Sequence, residues 1–352
     1  MKKFDRGINY YMLHENEVKN KIKENPNFLC EESLDGKTQE YLIENKILPY
    51  GSHVLSLVND SKIKWSSVHQ DYLIRNGIIL SEVETIFKNF NGKVSTAVLF
   101  ENFGTILSIN ACLACFTSGD VDFSASISES PQIEQCMNEI GYAREVRRGV
   151  PDSIMTTFVK KGVLPNKDFY VNFEWKPIAR RYIKNMRELH QRLEQFRNEN
   201  VKLLENGIKV LSNEALLYFN LLHVSIGHYY NTSPGVRLYA DIDRLIRHSE
   251  KIDYFKILSW SEEDNQNIRV YTALRLVHDI LDTPLDNYEI FASKKTKIYS
   301  NKIIKYLWNR KMNSYTKKTS IYNQWKIDSF SEGVAFIPYA LTRLIKLNRS
   351  GK

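Results

Sequence analysis

Two aspartates one residue apart, Asp120 and Asp122, are the side chains whose type and spacing best suit chemistry. They follow Ser118 and Gly119, and the residues between and after the two aspartates are apolar. In a β-strand, alternate side chains share a face, so both carboxylates would point to one side while the apolar residues pack inward. Paired hard oxygens suit Mg²⁺, which takes further ligands from substrate phosphates. The alternative is an acidic strand end without chemistry.

The segments ahead of the two aspartates predict how they are positioned. Residues 95–100 form a short apolar and β-branched run, typical of a buried strand. Gly104 and Thr105 follow, and a glycine turn there would let backbone N–H groups approach a phosphate. Residues 106–116 are apolar and long enough for a helix. The predicted order is therefore strand, glycine turn, helix, turn and carboxylate strand.

This order resembles the nucleotidyltransferase superfamily of the DNA polymerase β type. That superfamily has a hydrophobic residue, Gly, and Gly or Ser, and then two aspartates flanking a hydrophobic residue on the next strand. Within it, the chain is most similar to the broad group of bacterial nucleotidyltransferases with a helical C-terminal half. Here the turn is Gly-Thr, and the basic residue that often precedes the aspartates is absent.

Further motifs extend the resemblance from about residue 80 to about residue 285. Gly141 and Tyr142 follow the carboxylate strand, and a strand pair is expected at residues 154–160 and 169–175. A Leu-rich helix from residue 211, the residue His223, and the Arg237-x-x-x-Asp241 spacing match the helical half of the group. Their order and spacing together are more specific than any single motif.

The third carboxylate of such enzymes is the point where the chain departs from the group. Residues 171–175 read Val-Asn-Phe-Glu-Trp, where the group has Val-Asp-hydrophobic-His-Trp, so Asn172 stands at the expected aspartate. An amide is a weaker metal ligand and a poor base. Glu174 lies two residues along, on the same strand face, and is the predicted replacement. If Glu174 does not replace the missing aspartate, the site would bind nucleotide without turning it over.

The resemblance implies Mg²⁺-dependent transfer of a nucleoside monophosphate, with AMP from ATP as the leading choice, to a small-molecule or peptide acceptor, with release of pyrophosphate. The implied catalytic and metal-binding residues are Asp120, Asp122 and Glu174. The implied nucleotide-binding residues are Gly104, Thr105, Ser118, Gly119, Arg237 and Asp241. Arg237 and Asp241 are four residues apart on a predicted helix, so a structural ion pair is the alternative for them.

Composition limits the class of protein to which the chain could belong. The chain has 352 residues, 43% hydrophobic and 26% charged, which is ordinary for a soluble protein of two domains. We expect no membrane span and no signal peptide, and therefore a cytoplasmic location, because long uncharged apolar runs are missing. Residues 291–352 carry 14 Lys or Arg and 2 Asp or Glu. This segment could bind nucleic acid, although a solvated basic face over a helical core is favoured.

The cysteines and histidines are read as structural. Cys112-x-x-Cys115 has redox or metal-ligand spacing, but it lies in a predicted apolar helix without a second such pair. Buried, slowly reacting thiols are therefore expected. His223 and His228, five residues apart, do not form a known zinc motif, and His223 is expected to be packed or hydrogen-bonded.

The predicted fold class is α+β, with a small mixed-sheet nucleotidyltransferase core and a large helical C-terminal domain. The predicted regions are a helical one at residues 1–90, the catalytic core at 91–176, and a helical domain with the basic segment at 177–352. Two other functions remain open. The chain could be a catalytically degenerate nucleotide-binding protein, or a nucleic-acid-binding protein that uses its basic C-terminal segment.

Overall fold

The computed structural model is α+β and centres on one mixed β-sheet. It describes residues 36–44, 46–56, 63–146, 152–165, 167–176, 178, 186–228, 230, 236–249, 251–285 and 288–309. The strands in this part of the chain are β1 (Val98–Leu99), β2 (Asp120–Ser124), β3 (Ala143–Glu145), β4 (Met155–Leu164), β5 (Lys167–Glu174), β6 (Val201–Leu203) and β7 (Lys209–Leu211). Their order in the sheet is β3-β4-β5-β2-β1-β7-β6.

Strand β2 lies at the middle of this sheet. It pairs antiparallel with β1 and parallel with β5, and β1 pairs parallel with β7. Apolar residues alternate along β2 and β5, where Val121, Phe123 and Phe173 are fully buried. This alternation leaves the intervening polar residues of both strands on the opposite face. The register places Asp122 beside Asn172 and Ser124 beside Glu174.

Helices surround the sheet and share one continuous hydrophobic core with it. The α-helices of the described ranges are α1 (Gly36–Glu44), α2 (Leu48–Ser56), α3 (Ile63–Phe90), α4 (Glu101–Ser108), α5 (Ser130–Glu139), α6 (Met186–Glu199), α7 (Asn213–Leu222), α8 (Arg237–His248), α9 (Tyr254–Glu263), α10 (Asn267–Leu281) and α11 (Lys294–Asn309). Helix α2 packs on α3, while α7, α8 and α10 pack on one another and α4 packs on α7.

Several predicted elements are confirmed. The strand before the aspartates, the carboxylate strand and the strand pair at β4 and β5 are all present. Gly141 follows α5 with a φ of +85°, a left-handed conformation that glycine adopts easily. The sequence also predicts helical stretches at residues 39–46 and 81–90; they fall mainly within α1 and α3, and both helices begin earlier than predicted.

The helix predicted at residues 106–116, with a glycine turn before it, is wrong. Helix α4 begins at Glu101, directly after β1, so Gly104 and Thr105 lie inside the helix. A Cβ added to Gly104 would lie 2.9 Å from the carbonyl oxygen of Leu99. The glycine is therefore required for the close approach of α4 to β1. Cys112 precedes a short 3-10 turn, Leu113–Cys115, instead of lying within a helix.

The sequence also predicts one long charged helix from residue 178 to about residue 204, and this prediction is wrong at its C-terminal end. Helix α6 ends at Glu199, and a hairpin of β6 and β7 follows. Gly207 has a φ of +80° in the hairpin loop. Val210, fully buried, pairs with Leu99 of β1, so sheet packing overrides the helical tendency of this segment.

The basic C-terminal segment is described only as far as residue 309. Within α11, Ile303, Ile304 and Leu307 are buried, which agrees with a helix packed on the core. The remainder of the predicted basic segment, residues 310–352, lies outside the described residues. Among the helices that the structure describes, none has both the length and the apolar character needed to cross a membrane.

Candidate functional site

Asp120 and Asp122 point to the same side of β2, as their spacing predicts. The side-chain nitrogen Nδ2 of Asn172 donates a hydrogen bond to Oδ2 of Asp120 at 2.9 Å and another to Oδ1 of Asp122 at 2.8 Å. Asn172 lies beside Asp122 in the parallel pairing of β5 with β2. One amide therefore bridges the two carboxylates.

The Asn172 amide is held in this orientation by a neighbour on the other side. Thr157 of β4 donates from its hydroxyl to Oδ1 of Asn172 at 2.8 Å. Asn172 is 1% exposed and Thr157 is also buried, so this arrangement is enclosed by the sheet. Because the Asn172 oxygen is turned to Thr157, its N–H₂ group presents a partial positive charge to the two aspartates. This charge offsets the repulsion between the carboxylates, as a bound cation would.

Glu174 reaches the same region. It lies two residues beyond Asn172 on β5 and is buried. Desolvation raises the pKa of Asp122 well above its usual value, and the negative charges of Glu101, Asp120 and Glu174 raise it further. The hydrogen bond from Asn172 opposes this shift. The predicted catalytic residues therefore lie close enough for their charges to affect one another. Glu101 is a fourth carboxylate in this region.

Glu101 is the site residue that the sequence motifs missed. It is the first residue of α4 and has a φ of +57°, an uncommon conformation for a residue with a side chain. One carboxylate oxygen, Oε1, lies 2.9 Å from Nδ1 of His223. The other ring nitrogen of His223 lies 2.9 Å from Nε2 of His228. The packed His223 that was expected thus connects the helical half to the acidic group.

The turn before β2 is fixed from α3. Asn76 donates from its amide to the carbonyl oxygens of Leu113, at 2.8 Å, and Phe116, at 3.0 Å. Arg75 donates to the carbonyl oxygen of Ser118. These contacts set the path of the chain immediately before Asp120.

Ser118 and Gly119 lie where the motif predicts. The Ser118 hydroxyl donates to Oδ1 of Asp120 at 2.5 Å. A Cβ added to Gly119 would meet no atom within 4 Å, so the turn borders open space. A ligand phosphate could approach the chain at this point.

Two cations lie near Asp120. Arg237, at the start of α8, donates to the Thr117 hydroxyl at 3.4 Å, and its Nε is a buried atom without a hydrogen-bond partner among the described residues. Burial lowers the pKa of Lys46, the charge of Arg237 lowers it further, and the charge of Asp120 raises it. Lys46, which no motif indicated, and Arg237 therefore both add positive charge to the Asp120 side of the site.

Asp241 has a different position from Arg237. It is 5% exposed and accepts hydrogen bonds from the Tyr50 hydroxyl and, at 2.6 Å, from Nδ2 of Asn102. These contacts join α2, α4 and α8 next to Glu101. Burial raises the pKa of Asp241, and the charge of Arg237 lowers it. The geometry favours a positioning role for Asp241 over direct contact with nucleotide.

Thr105 is likewise turned into the protein. It is 1% exposed, and its hydroxyl accepts a hydrogen bond from Asn220 of α7 at 3.1 Å. This bond packs α4 against α7. With Gly104 inside the same helix, the predicted phosphate contact of this pair has no glycine turn to support it.

The predicted metal set is arranged around an amide. Asp120, Asp122 and Glu174 are not among the described groups whose ligand atoms all lie within 4.8 Å of one another. The Asn172 nitrogen lies between the two aspartates instead. Rotation of the amide by half a turn would present its oxygen there, and the Thr157 hydroxyl would accept from the nitrogen. Two carboxylates and an amide oxygen are hard ligands that fit Mg²⁺.

Comparison with known proteins points to one family. The profile of a family described as uncharacterised nucleotidyltransferases matches residues 46–282. No curated protein matches the chain. Two solved Helicobacter pylori structures are similar. JHP933 is 14% identical, with a TM-score of 0.32, over 67% of this chain and 93% of its own. The second, provisionally described as a nucleotidyltransferase, is 14% identical, with a TM-score of 0.31, over 64% of this chain and 92% of its own.

Proposed function

This chain belongs to the uncharacterised nucleotidyltransferase family, and we propose that it transfers a nucleoside monophosphate, AMP from ATP, in a Mg²⁺-dependent reaction. The acceptor is a small molecule or a peptide side chain, and pyrophosphate is released. We also propose that the chain belongs to the DNA polymerase β-like superfamily, because of the order of its strands and carboxylates. The observation that carries the proposal is the convergence of Asp120 and Asp122 on one face of β2, bridged by Asn172 of the adjacent strand.

The proposed roles follow from position. Asp120 and Asp122 would hold Mg²⁺ together with the rotated oxygen of Asn172, while Glu174 adds negative charge to the same region. Bound Mg²⁺ would neutralise charge that develops on the phosphoryl oxygens and would orient the triphosphate. Arg237 and Lys46 would neutralise phosphate charge on the Asp120 side. The Ser118–Gly119 turn would border the triphosphate.

Glu101 is placed to act as the general base. The acceptor O–H proton passes to the Glu101 carboxylate, the acceptor oxygen bonds to the α-phosphorus, and the bond from that phosphorus to pyrophosphate breaks. His223, 2.9 Å from the same carboxylate, orients it. A base must lie within hydrogen-bond reach of the proton that it takes, and positioned general bases contribute about 10²–10⁴-fold to rate.

Calorimetric titration of ATP, GTP, CTP and UTP, with and without Mg²⁺, tests the proposal. The wild type is compared with Asp120→Asn and with the control Asp279→Asn, which removes a carboxylate 4.0 Å from Arg275 in the helical half. We expect nucleotide binding that requires both Mg²⁺ and Asp120, with ATP bound most tightly, and an unchanged control. Absence of binding to any triphosphate, or binding indifferent to Asp120, would overturn the assignment of the site.

A second candidate is a nucleotide-binding protein without turnover. The specific observation in its favour is that Asn172, not an aspartate, bridges the two carboxylates. Such a protein would bind ATP with Mg²⁺ and release no pyrophosphate in the presence of any acceptor. Pyrophosphate release from labelled ATP therefore separates the two functions. A nucleic-acid-binding protein would differ from both, because its binding would weaken steeply with salt and be indifferent to Asp120.

A further inference from the structure

A second cluster of ligand-type side chains lies outside the carboxylate site. His53 of α2, His69 of α3 and Cys112, just before the 3-10 turn, place their ligand atoms within 4.8 Å of one another. Among the described residues this is the only such group of three or more His, Cys, Asp and Glu. The three residues come from separate segments of the chain, so tertiary folding brings them together.

The distances within the cluster match those of a tetrahedral metal centre. Nδ1 of His53 lies 3.3 Å from Nε2 of His69, and the latter lies 3.5 Å from Sγ of Cys112. With Zn–N bonds of about 2.05 Å and a Zn–S bond of about 2.3 Å, tetrahedral ligands are separated by about 3.3 Å for two nitrogens and about 3.6 Å for nitrogen and sulfur. A single Zn²⁺ would thus fit with little rearrangement.

The chemistry of the donors agrees with the geometry. Two imidazoles and a thiolate favour zinc over magnesium or calcium, which prefer oxygen. His53 is buried, and Cys112 and His69 are half-buried, so water has restricted access. The Cys115 thiol and the rings of His53 and His69 all lie within hydrogen-bonding reach of Cys112. A thiolate is the form that binds metal.

We propose that His53, His69 and Cys112 form a zinc site, with water as the fourth ligand. Cys115 supports Cys112 from outside the ligand set, as hydrogen-bonded neighbours of zinc ligands commonly do. Zinc binding displaces the thiol proton of Cys112, which passes to solvent. The expectation of slowly reacting structural thiols still applies to Cys115, which is buried, but it does not extend to Cys112.

The position of the site indicates a structural role. It joins α2 and α3 to the segment that runs from Cys112 to Ser118, whose hydroxyl contacts Asp120. Asn76 and Arg75 hold the same segment from α3. Zinc would therefore fix the turn before β2, and this role does not depend on the reaction proposed above.

The test is the metal content of the untagged full-length protein, purified under reducing conditions without chelator and desalted. Plasma mass spectrometry should find about one zinc per chain, the stoichiometry of a single structural site. Cys112→Ser and His69→Gln should lose zinc by tenfold or more. Cys136→Ser removes a buried free thiol outside the cluster and should retain it. Cys115→Ser, which keeps a donor beside Cys112, should also retain zinc.

Cobalt substitution provides a readout that does not depend on the variants. Co²⁺ added to the zinc-stripped wild type should produce the visible bands of tetrahedral cobalt and a sulfur-to-cobalt charge-transfer band. A wild type that neither retains zinc nor produces these bands after complete thiol reduction would overturn the site. Equal zinc content in the wild type, Cys112→Ser and His69→Gln, with all three folded by circular dichroism, would overturn it as well.

Discussion

Asn172 lies directly beside Asp122 in the parallel pairing of β5 with β2, with its amide nitrogen 2.8 Å from the carboxylate. The amide offsets the repulsion between Asp122 and Asp120 when no metal is bound. Replacing Asn172 by Asp removes two donated hydrogen bonds and adds a third negative charge. We expect Asn172→Asp to be less stable than the wild type without Mg²⁺, by roughly 1–3 kcal/mol, and to recover stability as Mg²⁺ is added.

Thermal unfolding over a Mg²⁺ titration measures this effect. The matched control is Asn206→Asp, an exposed loop residue whose amide contacts Glu84. Equal melting temperatures for Asn172→Asp and the wild type without metal would show that the amide does not relieve carboxylate repulsion.

Asp122 makes stability depend on pH. Its folded-state pKa is raised, so the folded protein retains a proton that the unfolded chain has already lost. Stability should therefore fall as pH rises above the usual carboxyl range, until Asp122 ionises in the folded state. Asp122→Asn removes this loss and should stabilise the metal-free protein near neutral pH, while abolishing Mg²⁺-dependent nucleotide binding. Urea unfolding of both proteins from pH 4 to pH 8 tests the prediction, and parallel pH profiles would contradict it.

Under the proposed mechanism, Glu101 and His223 should contribute separately to turnover. Glu101→Gln should reduce kcat by about 10²-fold or more and leave the Kd for ATP nearly unchanged. His223→Gln should have a smaller effect on kcat, because it orients the carboxylate at 2.9 Å without taking the proton. Steady-state kinetics with a fixed acceptor measure both. His228→Gln is the comparison variant, because His228 contacts the ring of His223 at 2.9 Å. A Glu101→Gln enzyme with full kcat would remove Glu101 from the role of base.

Two glycines of the site region form a matched pair. Gly104→Ala places a Cβ about 2.9 Å from the Leu99 carbonyl oxygen, and we expect a loss of about 1–3 kcal/mol from overpacking. Gly119→Ala meets no atom within 4 Å, so the fold should keep its stability. If the turn contacts phosphate, Gly119→Ala should instead weaken ATP binding. Chemical unfolding and nucleotide titration of both variants separate the two effects, and equal destabilisation would contradict the assignment.

Asp241 should behave as a structural residue. Tyr50→Phe removes a hydroxyl that donates to the buried carboxylate, which should cost about 1–3 kcal/mol while leaving the ATP dissociation constant within about twofold at saturating Mg²⁺. Tyr299→Phe on α11 is the control. A large loss of ATP affinity in a stably folded Tyr50→Phe protein would instead place Asp241 in direct contact with the nucleotide.

The sequence predicts this fold well where hydrophobic periodicity is strong. The alternation around Asp120 and Asp122 identifies β2, and the apolar pattern of residues 154–175 identifies the β4–β5 pair. The sequence is a weaker guide where the pairing of distant strands overrides the local secondary-structure tendency of a segment. Strands β6 and β7 are three residues each; β6 pairs with β7, and β7 in turn depends on β1 for its place in the sheet. The start of α4 depends on the close approach at Gly104.

Site residues are predicted only where a motif marks them. Asp120 and Asp122 are indicated by spacing, because period-two alternation fixes the face to which they point. Glu174 is predicted in place of Asn172, yet it is the Asn172 amide that contacts both aspartates. Glu101 and Lys46 have no spacing signal, since their segments meet β2 only after folding. The same is true of His53 and His69, which are separated by 42 or more residues from Cys112.

The sheet order has a consequence for dividing the chain into interchangeable parts. Strand β1 obtains one of its two neighbours, β7, from residues 209–211, well beyond the predicted core boundary at residue 176. A fragment that ended at the boundary would expose one side of β1 as an unprotected edge, which favours intermolecular strand pairing. A helical half from a relative, joined at residue 176, would have to carry a β6–β7 hairpin compatible with β1. Exchange of the helical half between relatives is therefore favoured after residue 211, not at 176.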